Sequence, residues 1–345
     1  MKTNILLIGA IVLACASCSN DEIREVNPGN IIEFRTALDT RAAETTEENL
    51  ENFFVTAFDK RGDTYFKNVE FTPEGSIWTA TDRHYYWPAD KELTFYAWSP
   101  SSSDLGGTMT IDATEKTLKG FSPSAAIADQ KDFITAVTTA AWSANGTMLE
   151  FSHNLAQIQI MAKNGNDGHI YKIKGIKIAQ VASEGDYDFE TGEWAPGDTK
   201  ATYIDTYETP VILDAEEQSI MNSSSGNAML IPQQLTGWDS INDKTNENKH
   251  SYISVYLNIQ TSEGMPIYPE VDGSEDEPYG WVAVAIDTKW EQGYRYIYHL
   301  DFTAGAGSID PDEEGAGESV LGDTFKFQVD GVSQWGAATD SKPEV

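Results

Sequence analysis

The chain has 345 residues, with 55 acidic against 23 basic side chains and a formal net charge of −32. A surface of that sign repels nucleic acid and anionic lipid, because binding phosphate needs clustered Lys and Arg. Hydrophobic residues at 40% and aromatics at 11% exclude wholesale disorder, so the acidity belongs to the surface of a packed protein.

The N-terminus carries an export pattern. Lys2 precedes the apolar run Ile5–Ala14, and the small residues Ala16 and Ser17 precede Cys18. The run is about half of the ~20 residues that span a bilayer, so residues 1–18 read as a secretory leader. Cys18, followed by Ser19-Asn20-Asp21-Glu22, stands where bacterial lipoproteins carry their acyl chains. Cys15 is a competing acceptor, and an ordinary leader with incidental cysteines is the alternative. Beyond residue 18 there is no cysteine, which excludes disulfides, thiolate metal sites and Cys nucleophiles from the body. The roughly 325 remaining residues exceed one usual domain, so two are expected.

Past a tether at 19–30, strand patterns follow closely on one another. Ile31–Arg35 is short and alternating, with Ile32 and Phe34 on one face. Phe53–Phe58, Lys67–Phe71, His84–Trp87, Leu93–Trp98 and Phe133–Val137 are further strands. Pro73, Pro88, Pro100 and Pro123 fall at or beyond strand ends, where a missing N–H is tolerated. The polar turn Ser143-Ala144-Asn145-Gly146 divides an N-terminal sandwich, 31–146, from a C-terminal one, 147–345. Two segments then change phase. Phe151, His153 and Leu155 give way to Ile158 and Ile160, and Tyr171 and Ile173 give way to Ile176 and Ile178 across Gly175. A β-bulge shifts phase in this way, and Gly175 suits one; a strand buried on both faces is the alternative.

Thr191-Gly192 reads as a hairpin turn. Tyr252–Ile259 alternates with Ile253, Val255, Leu257 and Ile259 on one face. Val282, Val284 and Ile286 are separated by Ala283 and Ala285, which predicts a strand covered on both sides. Tyr294, Tyr296, Tyr298, Leu300 and Phe302 share the face of another strand, and Phe325, Phe327 and Val329 repeat the pattern near the end. Glu47–Asn52 and Ala215–Met221 are the only candidate helices, both short. Acidic loops interrupt the second half at Glu270–Pro278 and Ala304–Gly322, the latter read as a linker before the last strand. Many short strands with turns between them predict an all-β protein of sandwiches.

Residues that could carry chemistry do not form a recognisable set. His84, His153, His169, His250 and His299 are scattered, without the i, i+4 pair of a zinc hydrolase. A nucleophile elbow, a phosphate loop and a dinucleotide fingerprint are all absent from the sequence. His299 and Asp301 share a strand face without a nucleophile beside them. The 55 acids leave a glycoside hydrolase open, but nothing selects a pair. Asp310, Asp312 and Glu314 alternate before Gly315, faintly like a calcium loop, but no Glu stands where the bidentate ligand is needed. No cofactor and no metal are expected. Nine Trp and fifteen Tyr keep a glycan-binding surface lipoprotein open as an alternative, with Trp238 the aromatic expected to be exposed.

Five landmarks, in order, carry a resemblance. They are Cys18-Ser19-Asn20-Asp21-Glu22, then Thr40-Arg41-Ala42, then Tyr85-Tyr86-Trp87-Pro88 with Phe95–Pro100, then Phe151-Ser152-His153-Asn154-Leu155-Ala156, and last Leu230-Ile231-Pro232-Gln233. The chain resembles the fimbrillin family of surface pilins of Bacteroidales over nearly its whole length. The resemblance implies two transthyretin-like β-sandwiches in tandem, no catalytic activity, and an adhesive fimbrium built from copies of this chain or related pilins. It implies export to the outer membrane through a lipid on Cys18, then cleavage after an arginine near the N-terminus, with loss of the first strand. A strand from the next subunit then fills the vacated groove. On this sequence the cut falls after Arg41, with Arg35 the rival and an ordinary loop arginine the alternative. The displaced strand carries Ile31, Ile32 and Phe34, and the candidate donor carries Phe325, Phe327 and Val329. A tip or anchor position, the latter uncleaved, stays open.

Overall fold

The computed structural model describes residues 26–38, 45–46, 48–89, 92–270, 278–322 and 326–334. Cys15, Cys18, Arg41, Phe325 and most of the 270–278 loop lie outside them. The first half contributes β1 (Val26–Ile31), β2 (Phe34–Leu38), β3 (Phe53–Asp59), β4 (Thr64–Glu74), β5 (Ile77–Ala80), β6 (Tyr86–Pro88) and β7 (Leu93–Ser99). After them come β8 (Thr108–Ile111), β9 (Lys116–Phe121), β10 (Ile134–Ala140) and β11 (Thr147–His153). Seven of these close on themselves in the order β10-β11-β2-β5-β4-β3-β7, so the first layer is a barrel with no free edge rather than two separate sheets. Alternation explains its core: Phe34, Phe53, Val55, Phe71, Phe95 and Leu149 point inward and are fully buried.

The second half contributes β12 (Ala156–Lys163), β13 (His169–Ala182), β14 (Gly185–Asp188), β15 (Glu193–Pro196), β16 (Lys200–Ile212) and β17 (Gln218–Ser219). It continues with β18 (Ala228–Leu230), β19 (Gln233–Gln234), β20 (Tyr252–Thr261), β21 (Pro266–Tyr268) and β22 (Gly280–Ala285). The last are β23 (Lys289–Trp290), β24 (Tyr294–Asp301), β25 (Ser308–Ile309) and β26 (Lys326–Gln334). One sheet runs β17-β12-β24-β26 and the other β16-β13-β20-β22-β25. Their inner faces, Ile158 and Ile160 on one and Ile253, Val255 and Leu257 on the other, share a single apolar core.

Several sequence expectations change here. The chain leaves the barrel after His153 and not at 143–146, because β11 pairs with β2 and β10. The phase change between Phe151 and Ile158 is therefore no bulge: β11 and β12 belong to different sheets. At Gly175 a bulge does occur, against both neighbours of β13. A Cβ there would come within 2.7 Å of the Asp205 carbonyl. Ile31 and Phe34 lie in separate strands, since β1 pairs with β6 while β2 joins the barrel. No α-helix forms among the described residues, and Ile127–Asp129 is a single 3-10 turn.

The segment 304–322 is not a solvated linker. β25 pairs with β22, and Asp310 is fully buried against Lys177. The halves are joined by a third core, formed by Tyr96, Trp98, Leu118, Phe133, Tyr187 and Phe189. Above it a small sheet, β15-β14-β9-β8, takes two strands from each half.

Candidate functional site

The opening strand is where the sequence places assembly, and β2 shows how its residues are used. Its pattern is strictly alternating: Phe34, Thr36 and Leu38 are buried, Arg35 and Ala37 exposed. The Phe34 ring meets three others edge-on, Phe71 at 4.8 Å, Phe95 at 5.0 Å and Phe53 at 6.0 Å. Thr36 accepts a buried hydrogen bond from Trp78 Nε1 at 3.1 Å. Ile32, just before the strand, is buried too and donates its N–H to the Tyr85 carbonyl at 2.7 Å.

Its two neighbours hold β2 unequally. Along β11 it pairs in parallel over its whole length, from Thr147 opposite Phe34 to Phe151 opposite Leu38. Along β5 the only register partner among the described residues is Trp78, opposite Phe34. β2 is thus a barrel stave well joined on one side and barely on the other. Without it the barrel would open between β11 and β5, over a floor of Phe53, Phe71, Phe95 and Phe151. Arg35 lies in mid-strand with its backbone in the ladder, whereas position 41 comes three residues after the strand's end and outside the described residues.

At the other end of the chain, β26 lies against β24, with Phe327 opposite Leu300 and Val329 opposite Tyr298. Among the described residues it has this one neighbour and forms the sheet's edge. Val329 is half-buried against the core.

The motif 151–156 has a role the sequence did not suggest. His153 Nδ1 lies 2.8 Å from Asp132 Oδ2, and both side chains are buried. Asn154 donates to Thr135 Oγ1 at 3.0 Å, Thr135 meets the Tyr187 hydroxyl at 3.1 Å, and Trp194 Nε1 donates to the Asn154 carbonyl at 2.6 Å. Burial pushes the Tyr187 phenol up. This largely buried network ties β10 and β11 to β14 and β15. Its only sequence signal is a polar His-Asn pair inside an apolar alternation. His299 pairs with Glu217 at 2.7 Å, and Asp301 lies 3.6 Å from Lys163, both at the surface. Trp238 is buried against Tyr252 and donates to the Asp243 carbonyl, so it offers no sugar platform.

Residues 40–319 match the profile of the fimbrillin-like family. The chain belongs to that family. A relative of this fimbrillin is fimbrium subunit Fim1C of Phocaeicola vulgatus, 27% identical over an alignment of 250 residues that covers 60% of this chain and 65% of the relative. The match therefore spans slightly under two thirds of that protein's length. The crystal structure of a fimbrial protein from Bacteroides vulgatus shares the fold, with a TM-score of 0.61 at 15% identity, covering 89% of this chain and 99% of that one. The relative and the structure that this fimbrillin resembles are both described as fimbrial.

Proposed function

We propose that this fimbrillin is a pilin-like structural subunit of an adhesive surface fimbrium, assembled by exchange of its first strand. In this reading the precursor is exported as a lipoprotein acylated at Cys18. Cleavage after Arg41 then severs β1 and β2, and the lipid with them, from the body. The uneven hold on β2 supports this. A strand joined by a single register pair on one side can leave and be replaced more readily than one fully laddered on both.

Cleavage alone does not empty the groove. Ile32, Phe34 and Leu38 are buried, each worth roughly 1.5–3 kcal/mol, and the unpaired backbone of β11 would add to the cost. An incoming strand must offer the same inward pattern. The candidate donor does so, with Phe325, Phe327 and Val329 at alternate positions in place of Phe34, Thr36 and Leu38. Such a contact is head-to-tail and does not close, so it propagates a filament. The placement of β26 at an edge, with one neighbour, suits a strand that must move from its own body to the next.

The site of cleavage is favoured at Arg41 because Arg35 is held in the ladder, where a protease cannot extend the backbone. Limited trypsin treatment of purified precursor, followed by electrophoresis without boiling, tests the reading. Detergent-resistant ladders are expected from the parent and none from Arg41→Ala. A cleaved protein that stays monomeric at high concentration would sink it.

A further inference from the structure

We propose that Lys177 and Asp310 are the two ends of an intramolecular isopeptide bond, formed by the folded chain without any other protein. Lys177 is in the middle of β13, buried, and its Nζ lies 3.0 Å from Asp310 Oδ2. Asp310 follows β25 and is completely buried. The assembly reading uses neither residue. This inference does not depend on it, since the bond forms within one chain.

The surroundings supply each part of an acyl-transfer site. The Asp312 carboxylate is 3.5 Å from Lys177 Nζ and is steadied by the Tyr252 hydroxyl at 3.4 Å, in place to take a proton from the ammonium. The Asp312 backbone N–H donates to Asp310 Oδ1 at 2.9 Å, the oxygen that becomes the oxyanion when nitrogen attacks Cγ. Ser254 Oγ donates to Oδ2, the oxygen that must leave. The Trp281 ring lies 4.9 Å from Nζ and covers the lysine.

The balance is simple. Nζ forms a bond to Cγ, and the Cγ–Oδ2 bond breaks. The ammonium gives up two protons, relayed by Asp312, and Oδ2 departs with both as one water. Asp312 and Ser254 end unchanged, and nothing is oxidised or reduced. In bulk water the charged reactants are favoured by their hydration. In this dry site they have lost it, and a buried ion pair recovers little of that cost, while the neutral amide needs no hydration. Holding the two groups at contact distance removes the entropic barrier as well. Asp312 is largely exposed, which gives the released water a way out. Because residue 310 precedes β26, the bond would carry load from the last strand into the centre of a sheet.

Peptide mapping of the purified full chain by mass spectrometry tests this. The peptides carrying Lys177 and Asp310 are expected as one joined species, a water lighter than their sum. Lys177→Arg should return both as separate linear peptides, and Asp312→Asn should lose most of the joined form. Separate peptides from the folded parent protein would overturn the proposal outright, whatever the variants do. A joined yield in Asp312→Asn equal to the parent's would overturn the proton relay.

Discussion

Truncating Phe34 to Ala tests the packing on which strand exchange rests. Phe34 is fully buried, and its ring meets Phe53, Phe71 and Phe95 within 6.0 Å. Removing a ring so enclosed costs about 3–5 kcal/mol, made up of lost transfer energy and a cavity that fixed neighbours cannot fill. The barrel has no slack there, because three aromatic rings from β3, β4 and β7 converge on one point. Ala37→Ser, three residues on and facing outward, should stay within about 0.5 kcal/mol. Urea unfolding followed by tryptophan fluorescence measures both, since Trp78 and Trp98 report on the barrel. Hydrogen exchange in β11, β2's main partner, should speed up in Phe34→Ala alone. A loss below about 1 kcal/mol for Phe34→Ala, or an equal loss for both variants, would refute the inward-facing assignment and with it the groove.

The bulge at Gly175 predicts that Gly175→Ala destabilises by about 1–3 kcal/mol, since the added methyl meets the Asp205 carbonyl and Thr206; a neutral midpoint in urea would contradict it. Burial alone would raise the Asp59 carboxyl, but the N–H groups of Arg61 and Asp63 and the Arg61 guanidinium outweigh it and hold the group below its ordinary 3.8. Its contribution is therefore present above pH 3.8 and lost as pH falls through the lower folded value. Asp59→Asn should weaken the protein at neutral pH and match the parent in strong acid, and a deficit independent of pH would count against this. Burial pushes the phenols of Tyr171, Tyr203 and Tyr298 from 10.0 to about 12. Their share of stability is complete below pH 10.0 and drains away as pH rises toward 12. Tyrosinate absorbance for these three should appear only together with loss of native structure.

The sequence by itself determined which residues face inward within each strand. That pattern is local, repeating every two residues, and it survives any rearrangement of partners. Tyr296, Tyr298, Leu300 and Phe302 are buried as their alternation required, and Ala283 lies between two covered faces. The hairpin at Thr191-Gly192 and the bulge at Gly175 were legible for the same reason, since glycine marks a local backbone demand. The fimbrillin resemblance also rests on short contiguous motifs.

Only the tertiary structure decided which strand lies beside which. The first strand pattern is split between β1 and β2 because their partners, β6 and β11, come from different parts of the chain. Trp238 is buried because the loop carrying it folds over the outer face of β20 and β22. Asp310 looked like one more solvated acid, and what changes its meaning is Lys177, 133 residues earlier. No spacing rule relates two such side chains. Their meeting follows from sheet order, which depends on how all the faces are buried at once.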